Sequence, residues 1–390
     1  MQVIANLELS VFLRTFVVKT FKIQHKNRVM NKISVAVLIA FSLTACAQQE
    51  KDVFEKPDVD KRTELLSIVF RLAEKEEYSS SEFKLYTDRI DQYFEKHRNH
   101  ELIQFTKSII SKSEVGYDAV MAMAIHLDDN LKLLAGVKDN WRDTRWSEED
   151  AEEFISLLQK FNKDVEFDKF FANNADLYSE AVKRFTAVYE RLDLNWYNAF
   201  YGQDPAEAFS VIIVLGNGVN NYGPSLEYIN GYKKGYYILS IWRFDNDGMP
   251  VFRTDEYFPI LVHEFNHPFA NHLTEDNANA FRESGEKMFS VVEEEMLNQS
   301  YQSWELMMTE ALIRAAIIKY MKEHDFAQSE IENEITLQKE KGFIWVEEFV
   351  DELESYYDKQ RDKYPTLESY MPRLVEVYKT WAEEIQSVEQ

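Results

Sequence analysis

Two histidines stand four residues apart, with a glutamate directly after the first, in the segment His263-Glu264-Phe265-Asn266-His267. On one helix, residues i and i+4 project from the same face about one turn apart, so both imidazoles can grip a single metal ion. Zinc favours such nitrogen ligands and lowers the pKa of its bound water to about 7. Glu264 is adjacent to the first histidine and can accept the proton of that water. The spacing therefore predicts a zinc site with His263 and His267 as ligands and Glu264 as general base.

Such a site needs a third protein ligand. The metzincin continuation would place a glycine at position 270 and a histidine at 273, where this chain has Ala270 and Leu273. His272 is one residue off that spacing, and Pro268 disturbs any helix that continues to it. We therefore expect His272 to be solvated or outside the ligand set, and the third ligand to be an acid. The alternative for the whole motif is two histidines satisfied by packing or solvent.

Glu310 is the predicted third ligand. Within the helical segment 304–318 it shares a face with apolar residues such as Met307 and Ile313. A carboxylate on an apolar face is costly unless a charge meets it, and a zinc ion supplies that charge. An i,i+4 ion pair with Arg314 is the alternative. The other acids between the motif and this helix are expected on a solvated face.

The elements that must position these residues follow from the apolar periodicity. Apolar residues recur at three- and four-residue spacing from about 60 to 201, and again from 257 nearly to the end, which predicts helices. Between these stretches, β-branched and aromatic runs at 209–215 and 236–242 predict strands, and a third strand is expected near 225–229.

These patterns predict a mainly α fold with a small β-sheet, an α+β class. We divide the mature chain into a helical N-terminal region over 60–203 and a catalytic region over 204–385. The catalytic region would hold the small sheet, the helix of the His-Glu-x-x-His motif and the helix of Glu310.

The N-terminus has the features of a targeting segment. The apolar run 33–43 is too short to span a bilayer but suits a secretory signal. Leu43-Thr44-Ala45-Cys46 resembles the lipobox of bacterial lipoproteins, whose cysteine is lipidated and becomes the first mature residue. We expect residues 1–29 to be an upstream mis-start, 30–45 a lipoprotein signal peptide and 46–59 a polar tether. The alternative is a short buried helix with an incidental cysteine.

The residues after Cys46 indicate where the protein is anchored. Ala47 at position +2 resembles the sorting signal for the outer membrane, and the acidic stretch that follows resembles surface-export signals. We expect a monomeric outer-membrane lipoprotein of the cell envelope, held by its acylated Cys46 and facing the periplasm or the cell surface.

Composition excludes several other classes. The chain has 44 basic and 68 acidic residues and a net charge of −24, which argues against nucleic acid as a partner. Removal of residues 1–45 takes away six basic residues and one acid, and the charge becomes −29. The single cysteine excludes a disulfide scaffold and a cysteine-rich zinc module.

His263-Glu264-x-x-His267 with a glutamate on a later helix resembles the gluzincin metallopeptidases, whose two histidines and downstream glutamate hold zinc. The resemblance implies a zincin-like core, one Zn²⁺ ion and a peptide or protein substrate. In many gluzincins an acid three or four residues after the ligand glutamate orients a histidine. Here those positions are Ile313 and Arg314, so the outer shell must differ.

A closer resemblance covers about 60 to 381. Segments 62–73, 263–269 and 309–315 are similar to signature segments of an uncharacterised family of Bacteroidetes lipoproteins with a domain of unknown function. It implies that Asn271 and Arg314 belong to the site region.

A peptidase also needs a donor that faces the oxyanion. Arg314, Tyr301, Tyr320 and Tyr357 are candidates, with ordinary packing as the alternative for each tyrosine. The strand 236–242 could bind an extended peptide by edge addition or be a plain core strand.

The sequence therefore predicts a lipid-anchored, extracytoplasmic zinc metallopeptidase that hydrolyses peptide bonds. The rival is a non-catalytic surface lipoprotein that binds a glycan or protein and uses the histidines in a structural metal site. A closed fourth ligand and the lack of a cleft would favour that rival. Zinc-dependent hydrolysis of a non-peptide amide is a third class.

Overall fold

The computed structural model of the chain describes residues 53–138 and 144–388. The expected mis-start, the signal peptide, Cys46 and the first part of the tether lie outside the described residues. Among the residues that are described, no helix is long and apolar enough to cross a membrane.

Helices form most of the described chain, as the apolar spacing predicts. Polar caps fix two of their starts, because Asp60 accepts the backbone N–H groups of Arg62 and Thr63, and Ser303 accepts that of Leu306. The helices before the sheet are α1 (Lys61–Leu72), α2 (Lys84–Phe94), α3 (Glu101–Ser113), α4 (Asp118–Ile125), α5 (Glu148–Asp164), α6 (Phe167–Asn173), α7 (Ala175–Tyr189) and α8 (Leu194–Tyr201).

The helices after the sheet carry the predicted site. They are α9 (Thr254–Glu264), α10 (His267–Asp276), α11 (Ala278–Val291), α12 (Glu293–Asn298), α13 (Trp304–Glu323), α14 (Gln328–Glu340), α15 (Val346–Glu352) and α16 (Leu367–Val388). Short 3-10 turns lie at Glu76–Tyr78, Glu95–His97 and Asp358–Gln360, and a π turn at Leu353–Tyr357.

Four strands form one mixed sheet; the first strand precedes α1, and the other three lie between the two sets of helices along the chain. The strands are β1 (Phe54–Asp58), β2 (Ala208–Ile213), β3 (Ser225–Glu227) and β4 (Lys233–Leu239), in the order β1-β2-β4-β3. β1 and β4 run parallel to β2, with Val211 opposite Tyr237, and β3 runs antiparallel to β4. The predicted α+β fold with a small sheet is confirmed.

Two features of the sheet differ from the expectations. Residues 54–58, expected in the tether, form β1, because Phe54 packs its ring 5.1 Å from that of Phe265. A contact between residues so distant in sequence leaves no local pattern. β4 pairs with β2 on one side and with β3 on the other, so it is a core strand without a free edge for a peptide.

Phe265, at the centre of the His-Glu-x-x-His motif, anchors that motif on the sheet. Its ring centroid lies 4.9 Å from that of Phe209 on β2 and 5.1 Å from that of Phe54 on β1. Close by, Tyr201 of α8 stacks on Phe269 of α10 at 4.9 Å. One apolar core therefore joins the chain before residue 204 to the chain after it, and the division at 203/204 stays a prediction.

Candidate metal centre

The His-Glu-x-x-His motif spans the end of one helix and the start of the next, and the expectation of a single helix is wrong. α9 ends at Glu264 and α10 begins at His267. Pro268 explains the break, because it has no N–H to donate and its ring crowds the carbonyl of Glu264 four residues earlier. Phe265 (φ −73°, ψ −9°) and Asn266 (φ −78°, ψ −31°) keep near-helical dihedrals, so the two imidazoles still lie one turn apart.

At the break, the side chain of Asn266 replaces the helical hydrogen bond that the carbonyl of Val262 loses. Its own N–H donates to His263 O at 3.0 Å, and its side-chain Nδ2 donates to Val262 O at 2.6 Å. From α8, the Tyr201 hydroxyl donates to Asn266 Oδ1 at 2.8 Å, and the Tyr197 hydroxyl donates to Val262 O at 3.1 Å. Asn266 is fully buried, so these bonds fix the shape of the motif. The sequence analysis missed this residue, whose only signal is a polar side chain between apolar neighbours.

The structure brings the three predicted ligand residues together. The Nε2 atoms of His263 and His267 are 3.2 Å apart. Glu310 Oε2 lies 3.7 Å from His263 Nε2, and Glu310 Oε1 lies 3.8 Å from His267 Nε2. Within the described chain, this is the group of histidine and carboxylate side chains whose ligand atoms all lie within 4.8 Å of one another. The group could hold one metal ion.

The distances and the donor atoms fit zinc. A tetrahedral zinc with bonds of about 2.05 Å sets its ligand atoms about 3.4 Å apart, and the observed separations lie on both sides of that value. Burial, and then the charge of Arg314, hold the pKa of His263 well below its usual range, so this imidazole is neutral as a metal ligand must be. Two imidazole nitrogens and one carboxylate oxygen form a set that suits zinc.

The two histidines are oriented differently. His267 Nδ1 lies 3.0 Å from Asn271 Oδ1, an atom that can only accept, so Nδ1 carries the proton and the lone pair of Nε2 faces the ligand group. His263 Nδ1 is buried and has no hydrogen-bond partner among the described residues. Arg314 stands four residues after Glu310, as noted from the sequence.

Glu310 combines both interpretations offered for it, because it faces the histidines and also pairs with Arg314. Arg314 Nη2 donates to Glu310 Oε2 at 3.0 Å and to the Tyr301 hydroxyl at 2.9 Å. The Tyr301 hydroxyl in turn donates to Glu310 Oε2 at 3.0 Å. Burial, and then the charge of Glu310, raise the pKa of Tyr301 to about 12. Tyr301 and Arg314 therefore position the carboxylate of Glu310.

Glu264 lines a cleft of 440 Å³ together with His267 and Glu310. Leu226 of β3 and Tyr236 of β4 contribute to the same cleft. Burial, and then the negative charge of Glu310, raise the pKa of Glu264 to about 7. A carboxyl group with that pKa can both accept and deliver a proton near neutral pH.

Two candidate oxyanion donors, Tyr320 and Tyr357, lie elsewhere, and His272 lies outside the ligand group as expected. The Tyr320 hydroxyl accepts the N–H of Asp193, and the Tyr357 hydroxyl donates to Phe200 O, so both tyrosines are packing residues. His272 is half-buried, with its Nε2 atom 3.0 Å from Gln203 Nε2, and is not part of the ligand group.

The sequence analysis missed several residues of the cleft region. Burial, and then the charge of Glu264, raise the pKa of Tyr237, so this phenol lies close to the predicted base. At the cleft wall, Lys233 Nζ is 3.7 Å from Glu207 and 3.6 Å from Glu275. Burial raises the pKa of Glu207. Lys233 and Tyr237 lie on β4, Glu207 precedes β2 and Glu275 lies on α10, so these residues leave no motif and only tertiary packing brings them together.

Residues 57–377 match the family model described as a domain of unknown function, DUF4932. The chain belongs to this family. The matched residues include the whole metal centre, from His263 to Arg314. Comparisons with curated proteins and with solved structures gave no match.

Proposed function

We propose that this DUF4932 protein is a lipid-anchored zinc metallopeptidase of the cell envelope. The observation that carries the proposal is the convergence of His263, His267 and Glu310 beside Glu264 at one cleft. The anchor rests on the lipobox that ends at Cys46.

Each residue of the centre has a defined part in the proposed reaction. Zinc, when bound, supplies a Lewis acid that polarises a carbonyl group and acidifies water. Glu264 accepts the proton of the attacking water and delivers it to the leaving amine, a task that suits its pKa of about 7. Asn271 holds His267 in the tautomer that leaves Nε2 free. Arg314 and Tyr301 keep Glu310 turned toward the histidines.

The geometry favours this function over a structural metal site. A structural zinc is closed by four protein ligands, whereas a catalytic zinc keeps an open position. In the part of the chain that the structure describes, the ligand group has three residues, and two of them line the cleft.

The test compares Glu264→Gln with Glu275→Gln, a control from the wall of the same cleft. Wild type and both variants should each contain one zinc per chain by elemental analysis. Against a peptide library, we expect wild type and the control to be active and sensitive to a chelator. Glu264→Gln should lose about 10²- to 10⁴-fold in rate.

Four results would each overturn a part of the proposal. Wild-type protein without stoichiometric zinc would remove the metal centre. Zinc without peptide cleavage would favour the structural site, and cleavage of non-peptide amides alone would move the protein to another hydrolase class. Wild-type protein that fractionates like a Cys46→Ser variant, outside the membrane, would remove the anchor.

A further inference from the structure

A second cavity, separate from the cleft, reaches the metal centre from between α9, α13 and α14. Its volume is 340 Å³, and its wall includes His263 and Arg314 but none of the residues that line the cleft. A volume of this size lies within the range of small-molecule sites. The rest of the wall is largely apolar and includes Phe258, Ile260, Ile317, Met321, Phe326 and Leu337.

Three buried polar atoms in this wall lack a hydrogen-bond partner among the described residues. They are His263 Nδ1, Arg314 Nε and Gln338 Oε1. Arg314 Nε is always a donor, and His263 Nδ1 is a donor when Nε2 holds a metal ion. Buried donors without acceptors are costly, so two of these three atoms call for an acceptor.

Lys341 adds a positive charge to the same wall. Among the described residues no ion pair within 4.0 Å includes its Nζ, and the negative charges of Glu334 and Glu310 act on it from farther away. Glu334, also in the wall, instead accepts the Gln338 amide at 2.6 Å. Burial, and then the charge of Arg314, lower the pKa of Lys341. The cavity therefore combines an apolar wall with donors and a cation that lacks a close partner.

We propose that this cavity binds an organic carboxylate with an apolar body. The carboxylate would pair with Lys341 and accept from Arg314 and His263, and the apolar body would lie against the remaining wall. One such anion would satisfy the orphaned donors and orient His263 in place of the acid that this chain lacks.

A carboxylate with an apolar body can come from two sources, the C-terminal residue of a peptide or a free carboxylic acid. The peptide source deepens the proposed peptidase function and rests on it. Binding of the carboxylate does not depend on catalysis and can be measured on the inactive Glu264→Gln protein.

The experiment is calorimetric titration of full-length Glu264→Gln with N-acetylphenylalanine and with hexanoate, each against its uncharged amide. We expect each carboxylate to bind at least about ten-fold more tightly than its amide, as charge-assisted bonds predict. Tighter binding of N-acetylphenylalanine indicates a peptide C-terminus, and tighter binding of hexanoate indicates a free acid.

Two variants tie binding to the cavity. Lys341→Gln should weaken carboxylate binding about ten-fold. The control Lys339→Gln should not, because Lys339 pairs with Glu347 and is not part of the wall. Leu337→Trp, at a wall position that is 42% exposed and tolerant of bulk, should block binding without a change of charge.

Equal binding of carboxylate and amide would overturn the inference, as would wild-type affinity in both Lys341→Gln and Leu337→Trp. Binding that disappears when zinc is removed from the folded protein would also overturn it, because the anion would then be a metal ligand. Carboxylate binding in a protein without peptidase activity would leave the inference intact and remove only the proposed function.

Discussion

Glu64 and Glu310 are both buried glutamates on helices rich in apolar residues, yet their surroundings differ in kind. Glu64, on α1, is completely buried and accepts the Tyr86 hydroxyl at 2.7 Å and the backbone N–H of Leu215. Burial raises the pKa of Glu64 to about 7, against the pull of these donors. Its partners are neutral groups of the chain itself, which join α1 and α2 to the segment after β2.

Glu310, on α13, has a guanidinium as its partner and faces two imidazoles. Arg314 and Tyr301 both donate to Oε2, while Oε1 lies 3.8 Å from His267 Nε2. His267 Nδ1 donates to Asn271 Oδ1, and this bond turns Nε2 toward the carboxylate.

The difference shows how a structural acid can be told from a candidate metal ligand. Glu64 is bonded to hydroxyl and backbone donors, whereas the carboxylate of Glu310 also lies with two imidazole nitrogens in a group that could hold one metal ion. An acid on an apolar helix face is therefore not enough to identify a ligand. What marks Glu310 as a candidate ligand is that the Nε2 atoms of His263 and His267 lie within 4 Å of its carboxylate.

The largest expected effect separates the two acids by metal affinity. Glu310→Gln should weaken zinc binding by more than the roughly 10- to 100-fold that loss of an outer-shell partner costs. Glu64→Gln should leave zinc affinity unchanged, because Glu64 is not in the ligand group. Competition with a chromogenic chelator measures both, and equal losses in the two variants would erase the distinction.

The second effect concerns the pH dependence of stability. Glu64 has a pKa of about 7 in the folded chain and about 4.5 when unfolded, so the folded state holds the proton longer. The contribution of Glu64 to the free energy of unfolding is therefore largest below pH 4.5. It falls by about 3 kcal/mol as the pH rises from 4.5 to 7.

Urea unfolding in chelator at pH 5 and pH 8 checks this prediction. The difference in the free energy of unfolding between the two pH values should shrink in Glu64→Gln by most of that amount. The comparison uses the pH dependence of each protein, so a uniform loss of stability in the variant does not affect it. An unchanged pH dependence would mean that Glu64 titrates normally.

The smallest effect uses a matched pair of tyrosines, each of which donates one hydrogen bond to one of the two acids. Tyr301→Phe should weaken zinc binding about ten-fold with little change in the stability of the metal-free protein. Tyr86→Phe should cost about 1–3 kcal/mol of stability, because Glu64 and the Tyr178 hydroxyl both lose a partner. Zinc affinity should be unchanged in Tyr86→Phe. The reverse pattern would exchange the roles of the two acids.

The sequence was informative where the signal is local. Apolar periodicity predicted the helices, and β-branched runs predicted strands within a few residues of β2, β3 and β4. The four-residue spacing of His263 and His267 and the apolar face of Glu310 were sufficient to select the three side chains that come together. These inferences needed only the geometry of a helix turn and the cost of burying charge.

The errors arose where distant residues decide. Pro268 predicts a disturbed helix, but the way Asn266, Tyr197 and Tyr201 stabilise the break depends on α8 packing beside the motif. β1 forms because Phe54 meets Phe265, and β4 becomes an interior strand because β3 pairs with it. Such pairings have no period in the sequence.

The sequence by itself determined the fold class and selected the three side chains that come together as a possible metal site, since each follows from residue type and short spacing. Only the tertiary structure decided that Arg314 donates to Glu310 and that His263 Nδ1 has no partner among the described residues. It also decided that Lys341 lines the same cavity as His263 and Arg314. The physical reason is that the partner of a buried polar group is set by whichever element packs against it, and that element can come from anywhere in the chain.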